Sequence, residues 1–174
     1  MAKSRPPNRI LYTQIDTTLG PLGVARSPKG LCAIRLDGKE AALKQELARR
    51  FPGAELVRDD AGLAEMAALV TRWLAEPDPG PLPPLDLGGS DFQRRVWRAI
   101  ARIPRGEVIS YAELARRAGN PRAVRAAAQA CGANPVPLLV PCHRVVRSDG
   151  SLGGFGGGLP MKRRLLSSEG VDIA

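Results

Sequence analysis

A proline-rich stretch in the middle of the chain constrains the fold more than any other sequence feature. Residues 77–84 contain five prolines, and such a stretch cannot form helix or sheet ladders but tends toward an extended polyproline conformation. We therefore expect the 174 residues to form two domains. The first, residues 1–85, is a supporting domain that ends in this linker, and the second is residues 86–174.

The first domain is predicted to be a small α/β unit with an antiparallel sheet. Turn sequences at residues 20–21 and 27–30 join short apolar runs, which is typical of consecutive strands. We found no catalytic pattern in this half. The predicted strands are Ile10–Ile15, Leu22–Ala25 and Leu31–Leu36, and the predicted helices are Lys39–Phe51 and Leu63–Leu74.

The second domain is predicted to be mostly helical, which makes the whole chain α+β. Ser90 and Gln93 fit a capping box at the start of one helix. Ser110 can cap the next helix, and Gly119-Asn-Pro121 stops it. A third helix is predicted from Arg122 to about Cys131. Two helices joined by a short glycine-containing turn are typical of a helix-turn-helix, here of winged-helix type.

The third helix is rich in alanine and carries two arginines, Arg122 and Arg125. A smooth helix of small residues can approach a duplex closely, and arginine binds phosphates or enters a groove. The alternative is an ordinary alanine-rich helix with solvated arginines. The charge favours DNA, because residues 86–174 hold 14 basic and 7 acidic side chains against 12 and 10 in residues 1–85.

Other classes of protein are excluded by composition. No apolar run approaches the roughly 18 residues of a membrane helix, and the N-terminus does not resemble a secretion signal. Three cysteines, Cys32, Cys131 and Cys142, indicate a reducing compartment and not a disulfide framework. With His143 as the single histidine, we expect no zinc site. We therefore expect a cytoplasmic, prokaryotic-type protein that is nucleoid-associated when bound to DNA.

The chemistry of the chain is expected at Cys142. This residue follows Leu138–Val140, an apolar run consistent with a buried strand, and it is adjacent to His143. A nearby imidazole favours the reactive thiolate. Asn134 can donate a hydrogen bond to such a site, and Glu169 can orient the histidine as the third member of a Cys–His–acid relay. The alternative is that Cys142 is a buried small apolar residue.

These residues belong to a longer pattern. Pro141-Cys-His-Arg-Val145, with Asn134-Pro-Val-Pro137, resembles the active-site signature of the methylated-DNA–protein-cysteine methyltransferases, the O6-alkylguanine-DNA alkyltransferases of direct DNA repair. The resemblance covers essentially all of residues 88–170, and residues 15–23 are similar to the family's smaller domain. Further matching segments are Phe92-Gln-Arg-Arg-Val-Trp97, Ile103-Pro-Arg-Gly-Glu107, Ser110-Tyr111, Gly119-Asn-Pro121, Arg125 and Leu165-Leu-Ser-Ser-Glu-Gly170.

The resemblance implies a reaction and its residues. Duplex DNA would be bound through the minor groove, and the alkylated guanine, or O4-alkylthymine, would be flipped into a pocket. Cys142 would attack the alkyl carbon after His143, acting through a water molecule, removes the thiol proton. Glu169 would orient His143. Tyr111 would hold the 3′ phosphate and help to protonate the leaving base.

The resemblance also implies the binding sets. The alkylated base would be bound by Val145, Gly156, Phe155 and Pro137, and DNA by Arg125, Arg122, Ala123, Ala126, Asn120 and Ser148. No cofactor is implied, because the DNA itself is the alkyl donor. The product is a thioether, so the protein would act once. Separately, we expect from its compactness that the protein is a monomer in solution. Two alternatives are a non-catalytic helix-turn-helix lesion sensor or regulator, and a cysteine hydrolase.

Overall fold

The structure is a computed structural model that describes residues 8–173. It divides into two compact units between Leu87 and Gly88. The helices and strands of the first unit are β1 (Arg9–Thr17), β2 (Gly20–Ser27), β3 (Gly30–Arg35), α1 (Glu40–Arg50), β4 (Glu55–Arg58) and α2 (Ala64–Ala75).

The sheet of the first unit has the strand order β3-β2-β1-β4. Strands β1, β2 and β3 pair antiparallel, as expected from their short turns, but β4 pairs parallel with β1. The prediction of an antiparallel sheet is therefore wrong for the fourth strand. Parallel neighbours need a long connection, and β2, β3 and α1 supply it here. Strand β4 was not predicted from the sequence, because its four residues include only two apolar ones, both half-buried.

One face of this sheet packs against α1. Leu43 and Leu47, four residues apart on the helix, are fully buried against Ile10 and Tyr12 of β1. This spacing puts both leucines on the same side of the helix. The two helices begin one residue later than predicted, and α1 ends at Arg50.

The end of the proline-rich stretch pairs with the sheet. Leu31 of β3 donates a backbone hydrogen bond to Pro84 and accepts one from Asp86. Gly30 has a φ of +149°, and a Cβ atom there would lie 2.3 Å from the Pro84 carbonyl oxygen. Glycine is therefore required at this close approach of two backbone segments.

The second unit contains four helices and a two-stranded parallel sheet of β5 and β6. The α3 helix has the predicted capping box, in which Ser90 and Gln93 bond reciprocally. Val96, Trp97 and Ile100 form its buried side. The elements are α3 (Asp91–Ala101), β5 (Ile109–Ser110), α4 (Tyr111–Arg117), α5 (Val124–Gly132), a 3₁₀ turn (Cys142–Arg144), β6 (Val145–Val146) and α6 (Leu159–Ser168).

Helices α4 and α5 form the helix-turn-helix and pack against α3. Gly119 ends α4 with a φ of +89°, which favours glycine. The α5 helix begins at Val124, so the prediction of a helix from Arg122 is wrong by two residues. The Ala123 N–H bonds to the Asn120 carbonyl and closes a turn, and Arg122 lies in that turn and not on the helix face that carries Arg125.

None of the helices within residues 8–173 is both long and apolar enough to cross a membrane. The same residues contain no group of three or more His, Cys, Asp or Glu side chains placed to hold a metal ion.

Candidate active site

Cys142 is the first residue of the 3₁₀ turn in the second unit, and its exposed fraction is 7 %. The preceding Leu138–Val140 run is not the predicted strand but part of a tight turn, in which the Val140 N–H bonds to the Val136 carbonyl. Leu138 has a φ of +78°, which is strained for a residue with a side chain. Such backbone strain is concentrated at functional sites.

Asn134 fixes this turn. Its Nδ2 donates to the Val140 carbonyl at 2.8 Å, and its Oδ1 accepts from the Val136 N–H at 3.0 Å. The Cys142 N–H in turn donates to the Val140 carbonyl at 2.8 Å. Asn134 therefore positions the nucleophile through the backbone, and its amide also favours the Cys142 thiolate.

The Cys142 thiol has a second thiol beside it. Cys131 lies on the buried side of α5, with its Sγ 3.9 Å from the Cys142 carbonyl oxygen. Hydrogen bonding from the Cys131 thiol is the largest cause that lowers the pKa of Cys142, and the Asn134 amide and the Lys162 charge act in the same direction. Burial opposes them. The same hydrogen bond between the two thiols, together with burial, raises the pKa of Cys131. Cys142 is therefore the thiol that ionises first.

His143 and Glu169 form a buried pair. The imidazole Nε2 lies 2.9 Å from Glu169 Oε1, and the two side chains are 3 % and 5 % exposed. Burial lowers the pKa of His143 and outweighs the opposing effect of Glu169, so the imidazole is neutral at pH 7. In that state Nε2 carries the proton toward the carboxylate and Nδ1 is an acceptor. Nδ1 is buried and has no hydrogen-bond partner among residues 8–173.

Arg144 is a member of this cluster that sequence reasoning missed. Its guanidinium donates to both carboxylate oxygens of Glu169, at 2.9 and 2.8 Å, and to the Ile103 carbonyl at 2.7 Å. These bonds hold the carboxylate in place. Although burial raises the pKa of Glu169, the hydrogen bonds from His143 and Arg144 lower it to about 2.

Lys162 was also missed. This lysine of α6 is fully buried, and its Nζ donates to the carbonyls of Val145 at 2.7 Å, Gly154 at 3.1 Å and Leu152. It therefore ties β6 to the glycine-rich segment 153–158. A charged residue among apolar neighbours signals such a role only once the fold is known, because lysine in a helix is ordinarily solvated.

The glycine-rich segment lies beside Tyr111 and His143. Gly153 has a φ of +71°, and a Cβ atom there would lie 2.9 Å from the Tyr111 hydroxyl, so a side chain at this position would be strained and would displace the tyrosine. The Phe155 ring centroid is 6.5 Å from that of His143, at 78°. Gly156 is exposed, and no atom lies within 4 Å of the Cβ position there. Burial, together with the nearby cysteines, raises the pKa of Tyr111 to about 12.

The predicted base-binding and DNA-binding residues occupy different environments. Pro137 and Val145 are buried, and the Val145 carbonyl already accepts from Lys162. On α5, Arg125 and Ala126 are exposed, and Ala123 at its N-terminal end is half-buried. Three further predicted DNA contacts, all in turns or loops, are exposed: Asn120, Arg122 and Ser148.

The second unit combines a thiol with a lowered pKa, a buried His–Glu pair and a helix-turn-helix. These are the features of a DNA-binding protein with a nucleophilic cysteine. Comparison with known proteins agrees with this class. Residues 91–171 match the model of the 6-O-methylguanine DNA methyltransferase DNA-binding domain. Residues 10–76 match the ribonuclease-like domain of the same methyltransferases.

Individual relatives belong to the same family as these matching models. The inducible methylated-DNA–protein-cysteine methyltransferase of Bacillus subtilis is 42 % identical over 147 residues, which are 84 % of this chain and 82 % of that protein. The Escherichia coli bifunctional transcriptional activator/DNA repair enzyme Ada is 42 % identical over 92 % of this chain, which spans only 45 % of Ada. The chain belongs to the methylated-DNA–protein-cysteine methyltransferase family.

The fold is also that of a solved family structure. The crystal structure of Mycobacterium tuberculosis OGT in complex with DNA superposes with a TM-score of 0.77 and is 36 % identical, covering 91 % of this chain and 92 % of that one. The predicted combination of an N-terminal sheet domain and a helical C-terminal domain is confirmed.

Proposed function

We propose that this protein repairs DNA directly by moving the alkyl group of O6-alkylguanine, and of O4-alkylthymine, onto Cys142. The observation that carries the proposal is the cluster around that thiol. Cys142 has a lowered pKa and follows a strained turn, and His143 beside it is neutral, bonded to Glu169 at 2.9 Å and free at Nδ1 among the described residues.

The cluster supports activation of the thiol in two ways. Cys131 and Asn134 favour the thiolate, which is the nucleophilic form. The Glu169 carboxylate fixes the His143 tautomer, so Nδ1 can take the Cys142 proton through one water molecule. The thiolate then attacks the alkyl carbon. The C–O bond breaks as the C–S bond forms, and the electron pair of the C–O bond goes to the base oxygen.

Tyr111 is proposed to assist the departing base. Because its pKa is about 12, the hydroxyl stays protonated at pH 7 and can donate to guanine N3. The carbonyls of Cys142 and Val145 would accept from the guanine amino group, and the Gly156 N–H would donate to O6. Pro137 and Phe155 would line the alkyl pocket.

The buried position of Cys142 requires the base to leave the duplex. A base stacked in DNA cannot reach a thiol that is 7 % exposed. We propose that α5 enters the minor groove as the protein binds as a monomer, that Ala123 and Ala126 allow the close approach, and that Arg125 fills the space of the flipped nucleotide. Asn120, Arg122 and Ser148 would contact the DNA backbone.

The reaction ends in a thioether between the alkyl carbon and Cys142. A C–S bond of this kind is not reversed by water, and the proposed chemistry includes no step that breaks it. Each molecule therefore acts once.

The test is the intact mass of the protein after mixing with a duplex that contains one O6-methylguanine. We expect a gain of one CH₂ group on the Cys142 peptide, with no gain in Cys142→Ser. The matched control is Cys32→Ala, which removes a fully buried thiol of the first unit and should leave the gain unchanged.

Two other results would replace the proposal. Tight binding of the duplex without a mass gain would favour a lesion sensor or regulator. Repeated turnover of an ester or peptide substrate would indicate a cysteine hydrolase.

A further inference from the structure

A basic cleft lies outside the cluster around Cys142. It has a volume of about 520 Å³ and is formed by the C-terminal halves of α3 and α4. Four arginine side chains line it, and no acidic residue within residues 8–173 does. These arginines are Arg95, Arg98, Arg102 and Arg117.

Most of this positive charge is not neutralised. Within residues 8–173, Arg95, Arg98 and Arg102 make no ion pair, and Arg95 instead lies over the Phe92 ring, 5.7 Å from its centroid. Only Arg117 has a carboxylate partner, and it shares that partner with Arg116. Like charges placed this close repel, so the cleft is a favourable place for an anion.

The arrangement of the arginines suits an extended anion. Arg95 and Arg98 of α3 and Arg102, the residue directly after its C-terminus, are three and four residues apart, so they lie along the same side of the helix over about 10 Å. A DNA strand also presents its charges in a row, one phosphate about every 3.4 Å along the duplex axis. Guanidinium groups bind phosphate with two parallel hydrogen bonds.

The cleft is continuous with the helix-turn-helix. Its lining ends at Ala118 and Gly119, the residues that begin the turn between α4 and α5. Asn120, a proposed DNA contact, follows directly. A duplex lying on α5 and this turn has its backbone next to the cleft.

From charge and continuity we infer that the α3–α4 arginine cleft binds backbone phosphates of the duplex under repair, away from the flipped base. The inference rests on the proposed function and extends it. The cleft would add affinity for any DNA sequence and would not take part in alkyl transfer.

The test compares the wild type with Arg98→Gln/Arg102→Gln. Both arginines are exposed, and glutamine is a good helix former, so α3 should persist. Binding of a fluorescent undamaged 24-base-pair duplex is measured between about 50 and 300 mM salt. Loss of two phosphate contacts lowers the slope of log affinity against log salt by about 1.8, and lowers affinity at 0.1 M salt by about tenfold or more.

The matched control is Arg49→Gln/Arg72→Gln. It removes the same charge from two exposed helical arginines of the first unit and should keep the wild-type slope. Methyl transfer from the free base O6-methylguanine should be equal in all three proteins, because that substrate has no phosphates.

A cleft variant with the wild-type slope would overturn the inference and leave an acidic protein segment as the occupant to test. An equal loss in both variants would also overturn it, since net charge would then be the cause. Failure of the wild type to move the methyl group would contradict the proposed function, whereas slopes on undamaged DNA would still be measurable.

Discussion

The Glu169→Gln substitution tests the buried cluster most directly. Glutamine has the shape of a protonated glutamate, so it removes the negative charge with little change in packing. The Glu169 carboxylate accepts from His143 at 2.9 Å and from Arg144 at 2.9 and 2.8 Å. In the variant, one of the two carboxylate oxygens becomes an amide nitrogen that cannot accept, so the Arg144 guanidinium, whose side chain is 11 % exposed, loses one of its bonds to residue 169 and its counter-charge.

The loss of stability expected for Glu169→Gln can be calculated in two ways. The pKa of Glu169 falls from its ordinary value of 4.5 to about 2, and at 1.36 kcal/mol per unit this corresponds to about 3 kcal/mol of stability at pH 7. Removing one member of a buried ion pair typically costs about 3–5 kcal/mol. The two values agree.

The sign of the pH dependence follows from the lowered pKa. The stabilisation by Glu169 is fully present above pH 4.5 and is lost as the pH falls toward 2, where the wild-type carboxyl becomes protonated. We therefore expect the difference in unfolding free energy between wild type and Glu169→Gln to be about 3 kcal/mol at pH 7 and to approach zero near pH 2.

Urea unfolding at several pH values measures this difference. The control is Glu113→Gln, because Glu113 also bonds two arginines but does so at the surface, where solvent screens the pairs. Its loss of stability should be much smaller. A loss below about 1 kcal/mol for Glu169→Gln at pH 7, or a loss that does not change with pH, would refute the view that a desolvated carboxylate stabilises this site.

Two further substitutions probe the neighbours of Cys142. In Lys162→Met, three carbonyls lose their donor, so we expect urea unfolding to show a loss of about 3 kcal/mol; a change within about 0.5 kcal/mol would contradict this role. In Cys131→Ala, Cys142 loses the largest cause of its lowered pKa, so the pH midpoint for its capture by iodoacetamide should move upward. An unmoved midpoint would show that the second thiol has no effect on the first.

Local signals made much of the second unit predictable. The Ser90 capping box, the buried side of α3 and the glycine stop at residue 119 depend on a few neighbouring residues, and the structure has all three. The Cys142–His143 pair and Glu169 could be named because a motif fixes which residue types occur together. That Glu169 orients His143 was also expected, although the two are 26 residues apart, and the structure places His143 Nε2 2.9 Å from Glu169 Oε1.

Other features depend on tertiary contacts that have no local pattern. Strand β4 is held by pairing with β1, although its own sequence has little strand character. Leu138–Val140 contains only apolar residues, which fits a buried strand equally well, but the Asn134 side chain bonds to Val136 and Val140 and closes a turn instead. From the sequence alone, Arg144 and Lys162 would be expected to be solvated. Their buried hydrogen-bond partners become known only from the structure.

The alanine-rich α5 helix shows why two interpretations of one sequence can both hold. Ala126 lies on the exposed face with Arg125, where we propose that a small residue permits close approach to DNA. Ala127 and Ala130 lie on the buried face, and Trp97 of α3 donates to the Ala130 carbonyl at 2.8 Å. Because Cys131 follows on this buried face, the same helix that presents Arg125 outward places a thiol beside Cys142. Packing requires small residues on the buried face, and DNA contact is the proposed reason for those on the exposed face, so composition alone could not separate the two.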